Sequence, residues 1–281
     1  MRSQGDKRPW RFPLVSPRGS LRRRTIGALG HVLVKTFPAN ASRVESLGRV
    51  ENWLDRLLVA GLLRRHCAAG TLEKLAHFHL RFWEEEQASA YHAERATVVV
   101  NQFRRLHARV LEPLKCELQS GEFQSLVEIG CGAGRLLEHL ASQLPQLHRF
   151  IGVDLAAAQI AENKQRSWGS ALEFAAADIA RWVRDNGQSQ RIYFSYGGVL
   201  EYLPQAKLAE LFANIAACPP ACVVLVEPVG DFDLDNESVS RPYDREMTFA
   251  HPYPRMLQNA GFHVVFCERT PNNRLLLVAR R

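Results

Sequence analysis

Three glycines, Gly130, Gly132 and Gly134, stand at alternate positions in "SLVEIGCGAGRLLEHL", residues 125–140, after one apolar run and before another. Glycine lets a chain turn tightly and bring its backbone close to a ligand. A loop that feeds a helix N-terminus also offers free N–H groups. The spacing does not match the common phosphate loops. A dinucleotide fingerprint has its third glycine where this chain has Arg135, and a Walker-type loop needs Lys followed by Ser or Thr. The surroundings are acidic instead. Glu128 precedes the first glycine, Asp154 ends the next apolar run, and Asp178 ends the one after. An acid at the place of Asp154 accepts hydrogen bonds from both hydroxyls of a ribose. Asp178 is placed to reach a base edge, and Glu128 to sit near a ligand ammonium. Three carboxylates would repel a pyrophosphate and suit a nucleoside that carries positive charge.

The elements that must hold these residues are readable from periodicity. Short apolar strands "SLVEIG" (125–130), "RFIGVDL" (149–155), "LEFAAAD" (172–178), "RIYFSYG" (191–197) and "ACVVLVEP" (221–228) alternate with helices over 135–143, 157–167, around Trp182, and 205–217. A loop over about 229–249 and a helix over 253–260 follow, then strands 262–269 and 274–281 joined by "TPNN", which read as a hairpin ending in an antiparallel edge. Such alternation predicts an α/β fold, a doubly wound, Rossmann-like, seven-stranded and mostly parallel sheet. Ligands bind such sheets beyond the carboxyl ends of the strands, near the switch in strand order.

Before the sheet the texture is helical. Ser42 followed by Glu45 fits a capping box opening a helix to about His66, and further helices are predicted from Leu72 to about Glu86 and from Ala88 to about Leu118, the last open to a kink at Pro113. The predicted organisation is therefore a basic, flexible arm over 1–41, a helical region over 42–120, and a ligand-binding domain over 121–281.

The 281 residues carry a net charge of +7, but much of the excess sits early: Arg2, Lys7, Arg8, Arg11, Arg18, Arg22, Arg23, Arg24 and Lys35 face only Asp6. The charge thus speaks for the arm, and the absence of basic patches interleaved with aromatics elsewhere argues against nucleic acid as the partner. No apolar run approaches the roughly 20 residues of a membrane span. Residues 21–37, "LRRRTIGALGHVLVKTF", leave three readings open: a solvated basic arm, a surface helix that touches anionic lipid, or an export signal. The six cysteines are scattered in apolar surroundings and read as reduced core residues of a cytoplasmic, or membrane-peripheral, protein. Cys218 and Cys222 have no matching ligand pair at zinc spacing, so no metal site is expected.

The segments "VEIGCGAG", "GVDL", "AAADI" and "FSYGGVLEYLP" together resemble motifs I to IV of the class I S-adenosylmethionine-dependent methyltransferases, over about residues 121–281. The resemblance implies S-adenosyl-L-methionine as cofactor, with Gly130, Cys131, Gly132 and Gly134 around its methionine part and Glu128 ordering the loop or the ammonium group. It further implies Asp154 and Leu155 at the ribose, Asp178 and Ile179 at the adenine, and Ser195, Tyr196 and Gly197 on the floor near the transferring methyl. An Asn/Asp-Pro-Pro-Tyr/Phe motif, usual where exocyclic adenine nitrogen or glutamine nitrogen is methylated, is replaced here by "SYGG". "GGVLEYLP" is instead similar to small-molecule and lipid methyltransferases. The implied activity is methyl transfer to an O or N atom of a small-molecule acceptor. A lipid-linked acceptor and a catalytically inactive module with this fold are the alternatives. A hydroxyl acceptor benefits from a general base. Candidates along the rim are His251, preferred, with Glu201, Tyr202 and Tyr243, then Glu227, Glu246 and Tyr253. Tyr91 and His92 are candidates to close over the cofactor, and the helical region to cover the acceptor pocket.

Overall fold

The computed structural model describes residues 21–47, 52–69, 71, 73–84, 95–169, 172–230, 232–243 and 248–281. They fall into two units, one within residues 1–81 and 242–248, the other within 82–241 and 249–281.

The second unit holds the sheet. Its parallel strands are β1 (Ser125–Ile129), β2 (Arg149–Asp154), β3 (Leu172–Ala176), β4 (Arg191–Tyr196) and β5 (Ala221–Pro228). A short pair, β6 (Arg241–Tyr243) and β7 (Thr248–Ala250), forms within the stretch predicted as loop. The terminal strands are β8 (His263–Arg269) and β9 (Arg274–Arg280), and the order across the sheet is β3-β2-β1-β4-β5-β9-β8. The hairpin differs from expectation in one respect. The antiparallel strand is β9, which lies inside, between β5 and β8, while β8 forms the edge and runs parallel to β5. Composition explains the swap: "RLLLVAR" is apolar on both faces and buried, whereas "HVVFCER" alternates between exposed and half-buried, as an edge strand can.

Because β1 pairs with both β2 and β4, the strand order reverses there. In register, Ile129 stands beside Val153 and Ser195, so the residues just beyond, Gly130, Asp154 and Tyr196, converge at one edge of the sheet. One face is covered by α7 (Arg135–Gln143) and by a long helical segment that starts as α5 (95–102) and ends as α6 (Leu111–Leu118). Their apolar residues Phe103, Val110, Leu114, Leu136, Leu137 and Leu140 pack on Leu126, Phe194 and Val224 of the strands. The long segment is not a regular helix kinked at Pro113. It widens to a π turn over Phe103–His107 and tightens to a 3-10 turn over Ala108–Val110, upstream of the proline. A proline ring clashes with the carbonyl four residues before it, here Arg109, so the distortion falls on that side and α6 restarts with Pro113 in its first turn. The remaining helices are α8 (Ala157–Gln165), α9 (Ile179–Asn186), α10 (Gln205–Ala216) and α11 (Tyr253–Asn259).

The first unit consists of α1 (Leu21–Thr36), α2 (Pro38–Leu47), α3 (Trp53–Ala69) and most of α4 (Glu73–Glu84). Residues 21–41, expected as a flexible arm, are helical and contribute Val34 and Ala41 to a core shared with Val44, Leu58, Val59 and Leu62. What permits this is a glycine at each side of the α1–α3 crossing. A Cβ on Gly30 would lie 2.2 Å from the Leu57 carbonyl oxygen, and one on Gly61 would lie 2.1 Å from the carbonyl oxygen of Gly30. The capping box predicted at Ser42 is absent, because Ser42 lies inside α2. The cap belongs to α3, where Asn52 Oδ1 accepts the Asp55 N–H at 3.0 Å. Residues 1–20 lie outside the described residues.

Candidate active site

The glycine loop and the acids meet where the strand order reverses. Gly130, Gly132 and Gly134 all have positive φ, and Gly134 sits at the N-terminus of α7 in the left-handed conformation. Gly134 has a second reason to lack a side chain: a Cβ there would lie 2.8 Å from the Phe174 ring and 3.0 Å from Trp168. Asp154 is buried and holds the loop directly, its Oδ2 accepting the Gly132 N–H at 2.8 Å and its Oδ1 the Ala156 N–H at 2.9 Å.

Glu128 is the site's electrostatic anomaly. It is 3% exposed, and its Oε2 has no hydrogen-bond partner. Burial, and then the neighbouring Asp154 carboxylate, push its carboxyl well above the usual range, against a partly compensating bond from the Leu137 backbone. Beside a second carboxylate, burial thus favours the neutral form of Glu128. Asp178 is half-buried and caps α9, its Oδ1 accepting the Arg181 N–H at 2.9 Å, with Ile179 buried behind it. Leu155 is half-buried beside Asp154. The Cys131 thiol is buried and pushed well up, above all by burial, which makes it a packing group.

Several residues that hold the loop escaped the sequence reading. Asn163, fully buried on α8, donates to the Gly132 carbonyl at 2.7 Å and is itself held by Gln159 at 3.1 Å. Arg166 reaches the Ala133 carbonyl at 3.4 Å. The signal was there: Gln159 and Asn163 flank Ile160 at helical spacing, but polar residues in "AAQIAENKQ" pass for a solvent face. Val199 also closes on the loop, its γ-methyls lying over Gly130.

At the tip of β4 the side chains part to opposite faces. Ser195 points toward β5 and donates to Glu227 Oε1 at 2.7 Å. Tyr196, expected on the same floor, turns into the core under the long helical segment. Its ring meets Phe103 edge-on, its hydroxyl shares a 3.0 Å hydrogen bond with His107 Nδ1, and burial pushes it up to about 12. Strand alternation makes this unavoidable, since neighbours on one strand face opposite ways. Gly197 opens onto free space, with nothing within 4 Å of where a Cβ would stand.

The rim candidates separate in the same way. His251, preferred as base, is fully buried, shares a 2.6 Å hydrogen bond with Ser240 through Nδ1, and is pushed by burial down to about 3. Its ring is sealed in packing and takes up no proton near neutrality. Glu201 is buried in the turn after β4, and Tyr202 is half-buried beside it, edge-on to Trp83 at 5.4 Å between ring centroids. Tyr243 lies in β6, and its side chain is outside the described residues, as are Tyr91, His92 and Glu246. The cysteines divide too: Cys131 and Cys222 are buried, but Cys116 and Cys267 are exposed, contrary to a wholly core role, and the side chain of Cys67 lies outside the described residues. Among the described residues, no group of His, Cys, Asp and Glu could hold a metal ion, and no helix is long and apolar enough to cross a membrane.

Residues 126–218 match the family described as "methyltransferase domain". The chain thus carries a methyltransferase domain, and with the glycine loop and the sheet order it is consistent with the class I fold of enzymes that use S-adenosylmethionine. No curated protein matches it. Among solved structures it is similar to the 1,6-didemethyltoxoflavin-N1-methyltransferase of Burkholderia thailandensis, at 20% identity over 69% of this chain and 86% of that one, with a TM-score of 0.45. It is also similar to the sugar N-methyltransferase KedS8 of a Streptoalloteichus species (19% identity, 68% and 87% covered, TM-score 0.43). A third is the magnesium protoporphyrin IX methyltransferase of Synechocystis (12% identity, 91% and 97% covered, TM-score 0.43).

Proposed function

We propose that this enzyme moves the methyl group of S-adenosylmethionine to an O or N atom of a small-molecule acceptor by in-line displacement. The observation that carries the cofactor assignment to residues is the partnerless, buried Oε2 of Glu128 beside Asp154 at the mouth of the glycine loop. In this reading Glu128 faces the cationic end of the cofactor, the loop backbone cradles the methionine part, Asp154 holds the ribose, and Asp178 with Ile179 meets the adenine. The cofactor supplies a methyl already activated on a sulfonium, so the chain's task is to align the acceptor and exclude water. The open space at Gly197 suits an acceptor approaching the tip of β4, with Glu201 and Tyr202 at hand and Trp83 as part of a cover. For a hydroxyl acceptor, Glu201 takes the place that His251, sealed in packing, is poorly suited to fill. Calorimetric titration with S-adenosylmethionine and S-adenosylhomocysteine tests the site, and absent binding would remove the proposal. Incubation of small-molecule extracts with labelled cofactor, followed by mass spectrometry, identifies the acceptor. Labelling of macromolecules alone would overturn the small-molecule reading.

One observation favours a second reading, a membrane-associated acceptor. Leu29 and Val32 of α1, with Phe37 just beyond, are 49%, 58% and 40% exposed, and α1 opens with Arg22, Arg23 and Arg24. An apolar helix face beside basic residues suits the surface of an anionic bilayer. Co-sedimentation with anionic vesicles distinguishes the two. Equal partitioning of the full chain and of a Leu29→Ser/Val32→Ser variant would count against lipid contact.

A further inference from the structure

The carboxyl ends of β4 and β5 carry a buried polar tie. Glu227, fully buried, accepts with one oxygen, Oε1, from Ser195 Oγ at 2.7 Å and from the Val199 N–H at 3.4 Å. Ser195 comes just before the turn after β4, and Val199 lies on its far side, past Gly197 and Gly198, both of positive φ. Two glycines in a row leave that turn little conformational preference of its own, so the bonds to Glu227 set its course. Val199 in turn rests on the first glycine of the cofactor loop: a Cβ on Gly130 would come 2.5 Å from Val199 Cγ2. A chain of contacts thus runs from β5 through Glu227 and Val199 to the glycine loop.

We propose that Glu227 is a positioning residue that couples the acceptor-side turn, residues 197–203, to the cofactor loop. By holding Ser195 and Val199 together it keeps the turn seated on Gly130, so that ordering of the loop by cofactor orders the acceptor side as well. The inference rests on the cofactor assignment above.

The choice of an acid at this place has a cost. A buried carboxyl is disfavoured unless fully bonded, and Oε2 of Glu227 has no partner. Burial pushes the group up to about 7, although the Ser195 hydroxyl, Arg274 and the Val199 and Leu200 amides pull the other way. The ionisable groups around it are Arg274 from β9 and Tyr253 from α11, which Glu201 of the turn also faces, and the Tyr253 hydroxyl is likewise buried and partnerless. An apolar residue would pack here with less penalty, so what the acid contributes is the tie.

Hydrogen–deuterium exchange of the full chain, with and without S-adenosylhomocysteine, tests the coupling. In the native protein the ligand should slow exchange in both 129–135 and 197–203. In Glu227→Leu the protection of 129–135 should persist while that of 197–203 falls by about tenfold or more. Glu227→Gln, whose amide oxygen still accepts from Ser195 and Val199, should restore it. Native-like protection of 197–203 in Glu227→Leu would overturn the proposal, as would exchange that rises equally across β1 to β5. Should Glu227→Leu fail to fold, Glu227→Met, of closer length and likewise without the carboxylate acceptor, is judged by the same criteria. If the native protein binds no S-adenosylhomocysteine, the cofactor assignment falls, and with it the coupling. Faster exchange of 197–203 in unliganded Glu227→Leu than in Glu227→Gln would then support the tie alone.

Discussion

Glu128 carries a conflict within a single residue, because its burial beside Asp154 opposes the charge that its proposed role requires. In the free enzyme its carboxyl is held well above the ordinary range. A cation placed beside it favours the ionised form, so binding releases a proton wherever the free enzyme still holds one. Affinity for S-adenosylmethionine should therefore rise with pH until that group ionises unaided. Titrations in two buffers of different ionisation enthalpy measure the proton directly, and a heat independent of the buffer at every pH would contradict the assignment. Glu128→Gln should weaken binding yet raise the stability of the free protein near neutrality, since it removes a buried acid that is costly to ionise. Asp154→Ala should weaken the cofactor by at least tenfold, about 1.4 kcal/mol. Asp154→Asn should spare part of that loss, because its amide oxygen can still accept from Gly132 or Ala156. Equal dissociation constants for native protein and Asp154→Ala would remove the ribose role. Both acids were legible in the sequence from their places at the ends of apolar runs. That Asp154 also fastens the loop it faces was not, since the bond spans 22 residues.

Among elements, the α1–α3 pair is the clearest case of backbone approach deciding a packing. Gly30→Ala places a methyl group against the Leu57 carbonyl, within a helix that cannot yield at that point. A loss of about 1–3 kcal/mol is expected from such overpacking, despite the better helix propensity of alanine. Thermal melts should register it, and an unchanged midpoint would show that the helices are free to separate. Sequence periodicity indicated helices in this region but missed α1 as a packed element, because "IGALGHVLV" is short and interrupted by glycine. The same glycines that weaken the local signal allow the contact. The π and 3-10 turns at Phe103–Val110 were equally hidden. They turn His107 inward toward Tyr196, a pairing 89 residues apart that no local pattern announces.

For the molecule as a whole, buried ionisable groups pull the pH dependence of stability in opposite directions. Burial holds His107 down at about 4 and His251 at about 3. Below about 6.5 the unfolded chain gains protons that these folded rings refuse, so stability falls as the pH drops toward those values. Glu227 does the reverse. Held up at about 7, it keeps its proton in the fold while the unfolded chain loses it near 4.5, so stability falls as pH rises between the two. Glu227→Gln removes only the second effect. Its stability relative to the native protein should climb across that interval, toward the single-proton slope of about 1.4 kcal/mol per pH unit. Urea midpoints at several pH values measure this, and a difference independent of pH would mean that Glu227 titrates as an ordinary carboxyl.

The fold class was legible in the sequence, because the two-residue and 3.6-residue periods that separate strands from helices are local. The cofactor was legible through the resemblance of the glycine loop, and of the acids that end the first three strands, to the motifs of a known family. Which strands neighbour one another and which side chains stay reachable came only with the packed fold. Packing inserted β9 between β5 and β8, joined His107 to Tyr196, sealed His251 against Ser240, and brought Glu227 to Val199 and Asn163 to Gly132. Burial and long-range hydrogen bonding are properties of the packed layers, and a linear pattern fixes which residues can take part without fixing which partner each will meet.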